Sequence, residues 1–224
     1  MRETIRKTIE AALYPTGYRC LLCNMETDVG EDGLCAACRK ELRLPKNRKL
    51  PLITGEIVSS FSYEGAARDA MHRFKYEKQW WLAPFFTRNI AVENPEGFDC
   101  VIPVPMHPVK RYFRGCNPAE LIAIALTERY PLPPVRTDLL RRTRLTVSQT
   151  KKGREERRLS DTLYRASQEI AGLRVLLVDD VVTTGATLSA CAAACLAAGA
   201  LSVSAVCGAS SEKHKERRNE EKPV

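Results

Sequence analysis

The stretch that most constrains this chain runs from Arg174 to Thr187: Arg-Val-Leu-Leu-Val-Asp-Asp-Val-Val-Thr-Thr-Gly-Ala-Thr. Residues 174–178 form a near-continuous apolar strand. A strand that does not alternate is buried on both faces, as in parallel sheets covered by helices. Two carboxylates follow, Asp179 and Asp180, then a Thr/Gly turn, then an Ala-rich helix over residues 187–198 ended by Gly199. Backbone N–H groups and threonine hydroxyls at a helix N-terminus bind phosphate, and Gly185 permits a tight turn with close approach. Adjacent carboxylates at the carboxyl end of a strand accept hydrogen bonds from ribose hydroxyls or coordinate Mg²⁺. Ligands of open α/β sheets sit at that end. No Gly-Lys-Ser/Thr follows, which excludes a Walker A loop.

The remaining text fits the same frame. Residues 57–61 read as a strand, 65–76 as a helix, and 99–104 as a buried strand ending in prolines. A helix with Pro118 at its start covers 118–129, and 201–207 is another strand. This order predicts an α/β fold, a mostly parallel sheet flanked by helices, preceded by a small N-terminal zinc-binding module. The expected division is an N-terminal helix and cysteine module over 1–50, the α/β domain over 51–211, and a charged, disordered tail over 212–224.

The module rests on Cys20-Leu-Leu-Cys23 and Cys35-Ala-Ala-Cys38, with eleven residues between the pairs. Each pair presents two thiolates from one turn, and two pairs close a tetrahedral Zn–S₄ shell with no open position, so the metal is structural. Neither pair opens a helix after a strand, which argues against thioredoxin-like chemistry. Cys191 and Cys195, one helical turn apart among alanines, read as small core residues.

Nine cysteines in all favour metal and buried thiols in a reducing compartment over a disulfide framework. The charged N-terminus has no apolar signal region, and the Ala-rich stretch 186–209 is too interrupted for a membrane span, so a cytoplasmic location is expected. The net charge is +8. Nine basic residues between Leu139 and Arg165 face three acids, and six between Arg39 and Lys49 face Glu41. Such clusters suit a nucleic acid or a phosphorylated metabolite, and they equally suit a solvated basic surface. Trp80 and Trp81, near Tyr76, read as core packing against the sheet rather than as base-stacking rings.

The Arg174–Thr187 segment resembles the signature of type I phosphoribosyltransferases. By that resemblance Asp179 and Asp180 face the ribose 2- and 3-hydroxyls of phosphoribosyl pyrophosphate (PRPP), which binds with Mg²⁺. Val181, Val182, Thr183, Thr184, Gly185, Ala186 and Thr187 wrap its 5-phosphate. Further segments narrow the likeness. They are Tyr63-Glu64-Gly65 with Arg68 and Phe74-Lys75-Tyr76; Ile102-Pro103-Val104-Pro105 with Arg111 and Arg114-Gly115-Cys116-Asn117; and Leu140-Arg141-Arg142 with Thr146 and Gln149. With the cysteine module they resemble the ComF family, phosphoribosyltransferase-like proteins linked to DNA uptake in competent bacteria. Residues 116 and 118 depart from the family's usual Arg-Gly-Phe-Asn-Gln, and 159–164 from its Asn-rich segment. The resemblance puts a pyrophosphate loop after Val104, where Arg111 and Arg114 would neutralise pyrophosphate. Residues 141–158 would be either a lid closing over PRPP or a nucleic-acid patch.

Three functions follow from the resemblance. The first is a phosphoribosyltransferase serving DNA uptake or nucleotide salvage. The second is a non-catalytic accessory protein that binds single-stranded DNA beside a helicase-like competence protein. The third is a PRPP-sensing regulator. The intact Asp179–Asp180 pair favours ligand binding in each.

Overall fold

A computed structural model describes residues 19–30, 32–143 and 163–211. The expected N-terminal helix, nearly all of the 141–158 stretch and the 212–224 tail lie outside the described residues.

The apolar runs become strands β1 (Val58–Ser62), β2 (Cys100–Pro103), β5 (Arg174–Val182) and β6 (Ser202–Ser210). They form one parallel sheet in the order β1-β6-β5-β2. Two three-residue strands, β3 (Leu140–Arg142) and β4 (Tyr164–Ala166), make a separate antiparallel ribbon. The helices are α1 (Ala36–Glu41), α2 (Gly65–Tyr76), α3 (Pro108–Arg114), α4 (Pro118–Arg129) and α5 (Ala186–Ala197).

Alternation along the strands sorts the core into two layers. On one face, Phe61, Val101, Leu176, Val178 and Val206 meet α2 (Ala67, Ala70, Met71, Phe74) and α4 (Ile122, Ala123, Leu126). On the other, Ile102, Val175, Leu177, Val203 and Cys207 meet α5 (Leu188, Cys191, Ala192, Cys195) and the ribbon (Leu140, Tyr164). Helices on both faces are what continuously apolar parallel strands require. Cys191 and Cys195 are fully buried, and burial pushes the Cys195 thiol up to about 12.

The cysteine module shares the first layer. Cys20, Leu22, Leu34, Cys35 and Cys38 are buried in the cluster that contains α2. Arg73 of α2 donates to the carbonyls of Leu21 and Leu22, and Arg88 donates to Asp32 O at 2.8 Å. Glu41, the last residue of α1, accepts from Ala66 N at 3.2 Å in the first turn of α2, where a carboxylate satisfies orphan amides. At the far end of the sheet, Asn117 caps α4 and donates to Val104 O at 3.0 Å, tying the helix to the exit of β2.

Phe74 is fully buried and sits 5.4 Å from Phe86, ring centre to ring centre. Phe74→Ala should cost about 3–5 kcal/mol of unfolding free energy, read by urea denaturation.

Candidate functional site

β5 runs farther than its apolar stretch suggests. Val181 and Val182 pair with Ala209 and Ser210 of β6, so Asp179 and Asp180 lie inside the strand and the free loop is only Thr183–Gly185. The backbone ladder does not depend on side-chain polarity, and β6 is long enough to hold it. Gly185 has φ +81°, and a side chain there would meet Leu50 Cδ1 at 2.7 Å. The positive φ therefore favours glycine, and a larger residue would also have to displace the Leu50 side chain. Ala186 N donates to Thr184 Oγ1 at 3.3 Å. Among the described residues, the amides of Thr183, Thr184 and Gly185 have no protein acceptor. They border a small cavity lined by Asp179, Val181, Val182 and the first residues of α5. Unpaired amides beside a three-turn helix N-terminus make a ready anion cradle.

The two carboxylates do not share a face. Asp179 belongs to the α5 side, where its charge is felt by Tyr164, Cys191 and Cys207. It is 9% exposed. Burial first, and the Asp180 charge second, push its carboxyl up to about 7, against an opposing hydrogen bond from Asp180 N. Asp180 points toward α2 and receives Lys75 Nζ at 2.8 Å. A ligand reaching both acids must lie across the end of the strand.

Of the two predicted arginines, Arg111 pairs with Glu120 at 3.1 Å. Arg114 donates to Tyr76 Oη at 2.8 Å and lies 4.5 Å over that ring. Tyr76 follows Lys75 in the last turn of α2, so Arg114 reaches the carboxyl end of the helix that carries the partner of Asp180. The turn expected after Val104 contains α3, whose side chains are all at least partly exposed. Trp80 and Trp81 correct the sequence reading: they are 40% and 65% exposed. The core under α2 is already filled by Phe74, Phe85 and Phe86. Arg142, at the edge of the undescribed 144–162 stretch, sits 5.9 Å over the Tyr164 ring. Its Nε is buried without an acceptor among the described residues.

The four module cysteines converge. Their sulfurs all lie within 4.8 Å of one another, and Cys23 Sγ is 3.9 Å from Cys35 Sγ. A tetrahedral shell with metal–sulfur bonds of about 2.3 Å needs sulfurs about 3.8 Å apart, so the set fits a metal ion. Cys35 N and Cys38 N donate to Cys20 Sγ and Cys35 Sγ at 3.3 and 3.4 Å. Although burial opposes it, amide donors from Cys35, Cys23 and Leu22 hold the Cys20 thiol down at about 6.

A phosphoribosyl transferase domain model matches residues 114–224. Competence protein F of Haemophilus influenzae is 24% identical over 77% of this chain and 88% of its own length. Competence protein ComFC of Bacillus subtilis is 29% identical over 77% of this chain and 69% of its own. DNA utilization protein YhgH of Escherichia coli K12 is 26% identical over 84% and 95%. These likenesses support a ComF-family, phosphoribosyltransferase-like protein. Among solved structures, the allosteric regulatory enzyme of purine biosynthesis aligns with 62% of this chain and 30% of its own, at a TM-score of 0.43 and 19% identity. That likeness is too distant to bear on function. No helix of the described residues is long and apolar enough to cross a membrane.

Sequence reasoning missed two residues at the candidate site. Lys75 stood in the Phe-Lys-Tyr segment without a role. Arg48, in the basic stretch before Pro51, donates to the Thr183 carbonyl.

Cys20→Ser should lose bound metal by elemental analysis and lower the melting temperature by roughly 5 °C or more. Asp179→Asn should stabilise the ligand-free protein in a pH-dependent way. The folded carboxyl titrates near 7 and the unfolded one near 3.8. The wild type therefore loses stability as pH rises between those values, and the asparagine variant does not. The gain should be small at pH 4 and about 4 kcal/mol at pH 8 by denaturant unfolding.

Proposed function

We propose that this protein binds Mg²⁺–PRPP, or a related ribose 5-phosphate, across the carboxyl end of β5, and that it transfers the phosphoribosyl group to a nitrogen acceptor in support of DNA uptake or nucleotide salvage. The observation that carries the reading is the set of unpaired amides at Thr183–Gly185 immediately after the Asp179–Asp180 pair. Val181 to Thr187 hold the 5-phosphate, and Asp179 and Asp180 take the ribose hydroxyls. Asp179, protonated near neutrality, can donate as well as accept. Mg²⁺ arrives as part of the substrate and screens its diphosphate. In the reaction the C1–oxygen bond breaks and its electron pair leaves on the diphosphate. The acceptor nitrogen supplies a new pair to C1 and releases a proton. Arg114, freed from Tyr76, adds positive charge at the leaving group, and Arg111 does so once exchanged from Glu120. The module is a structural zinc site, since four thiolates favour that ion and leave it no open position. The protein works in the cytoplasm.

A second reading has its own support. Trp81, Tyr112 and Phe113 are 65%, 85% and 77% exposed, among arginines and lysines, and stacking rings beside cations suit single-stranded DNA. On this reading the protein is a non-catalytic accessory that works with a helicase-like partner, as the relatives' competence and DNA-utilization names suggest.

Isothermal titration distinguishes the two. Wild type should bind PRPP only with Mg²⁺, and Asp179→Asn with Asp180→Asn should abolish binding without loss of fold. Unchanged affinity in the double variant would sink the site. No PRPP binding by wild type, together with DNA binding that weakens steeply with salt, would establish the accessory role instead.

A further inference from the structure

Resting on the reading that the β5 edge holds a 5-phosphorylated ribose bearing a diphosphate at C1, we propose that Lys75 is a ligand-contacting residue. It rests on Asp180 in the free protein and moves to the diphosphate when the ligand binds.

The first argument is hydrogen-bond capacity. An ammonium has three donors. Among the described residues Lys75 has one acceptor, Asp180 Oδ1 at 2.8 Å. Its side chain is only 14% exposed and that of Asp180 only 17%. An ammonium with one of three donors satisfied and so little wetted is costly, and a polyanion arriving at the same place removes the cost.

The second argument is charge. The consecutive carboxylates sit inside one strand, and Lys75 is the cation that acts on both. Ribose hydroxyls reaching Asp180 take up the lone pairs that the ammonium now uses. The ammonium then needs another anion within reach, and the diphosphate supplies it.

The third argument is direction. The 5-phosphate cradle opens α5, which covers one face of the sheet, whereas Lys75 closes α2 on the other. A ribose carries its 5-phosphate and its C1 substituent on opposite sides of the ring. A ligand anchored at Thr183–Thr187 with its hydroxyls on the acids therefore points its diphosphate away from α5. Tyr76, the next residue, holds Arg114 at 2.8 Å, so a second cation lies at the same end of α2. As the C1–oxygen bond lengthens, the electron pair settles on the diphosphate. Lys75 meets it with an N–H⁺ donor and keeps its own proton.

The test compares two ligands on the full-length protein by calorimetry, Mg²⁺–PRPP and ribose 5-phosphate, which lacks the diphosphate. Lys75→Met should weaken PRPP about tenfold or more and leave ribose 5-phosphate within about twofold. Lys75→Arg should recover most of the PRPP affinity. Equal PRPP affinity in Lys75→Met and wild type overturns the proposal. Equal loss of both ligands also overturns it, because Lys75 would then only support Asp180. If Lys75→Met does not fold, Lys75→Gln set against Lys75→Arg carries the same comparison. Wild type binding neither ligand refutes the underlying ribose-phosphate reading, a result recognisably different from a failure confined to the lysine variants.

Discussion

The structure turns on placing two consecutive carboxylates inside the strand β5, which has neighbours on both edges and helices on both faces. Water cannot neutralise such a pair, so the protein must. Asp179 does it by holding a proton near neutrality, under burial that raises its titration to about 7. Asp180 does it with the Lys75 ammonium at 2.8 Å. The second solution constrains α2, because its last turn has to arrive beside Asp180 while Phe74 and Met71 fill the layer beneath. A strand of valines would have been simpler to bury. Keeping the acids there makes sense when something bound at the strand's end uses them.

The helix that meets this demand is held by the cysteine module. Glu41 caps its first turn, Arg73 reaches the carbonyls of the first cysteine turn, and three of the four cysteines are buried in the same apolar layer. The module is too short to enclose a core of its own, and it borrows one from the sheet. A metal at the cysteines thereby steadies the element that carries Lys75 and Tyr76.

Much of this was legible because parallel strands covered on both faces are apolar without interruption. β2 and the first half of β5 announce themselves that way, and α2 and α4 begin and end where their residues suggest. β5 outruns its apolar text because Val181 and Val182 still pair with β6 beyond the acids, a fact of the backbone that side-chain character cannot report. The β3–β4 ribbon escaped notice because its strands are three residues long, below any readable period. At the site, the tight turn into α5 was written in Thr-Thr-Gly-Ala-Thr, and the cysteine cluster in its spacing. The partners were not. Glu120 on Arg111, Tyr76 on Arg114 and Asp180 on Lys75 are meetings between distant segments. Trp80 and Trp81 look like core by composition and lie outside because phenylalanines occupy the core first.

The chain between the module and the sheet does more than connect them. Arg48 grips the Thr183 carbonyl, and the space a side chain would need at Gly185 is filled by Leu50. The anion cradle is thus fastened to a segment whose other end leaves α1 at the cysteines. Two binding events that share a fastening share free energy, and that sharing is symmetric. On the proposed function, metal that orders the segment would tighten the grip on the anion, and an anion bound there would equally tighten the hold on the metal.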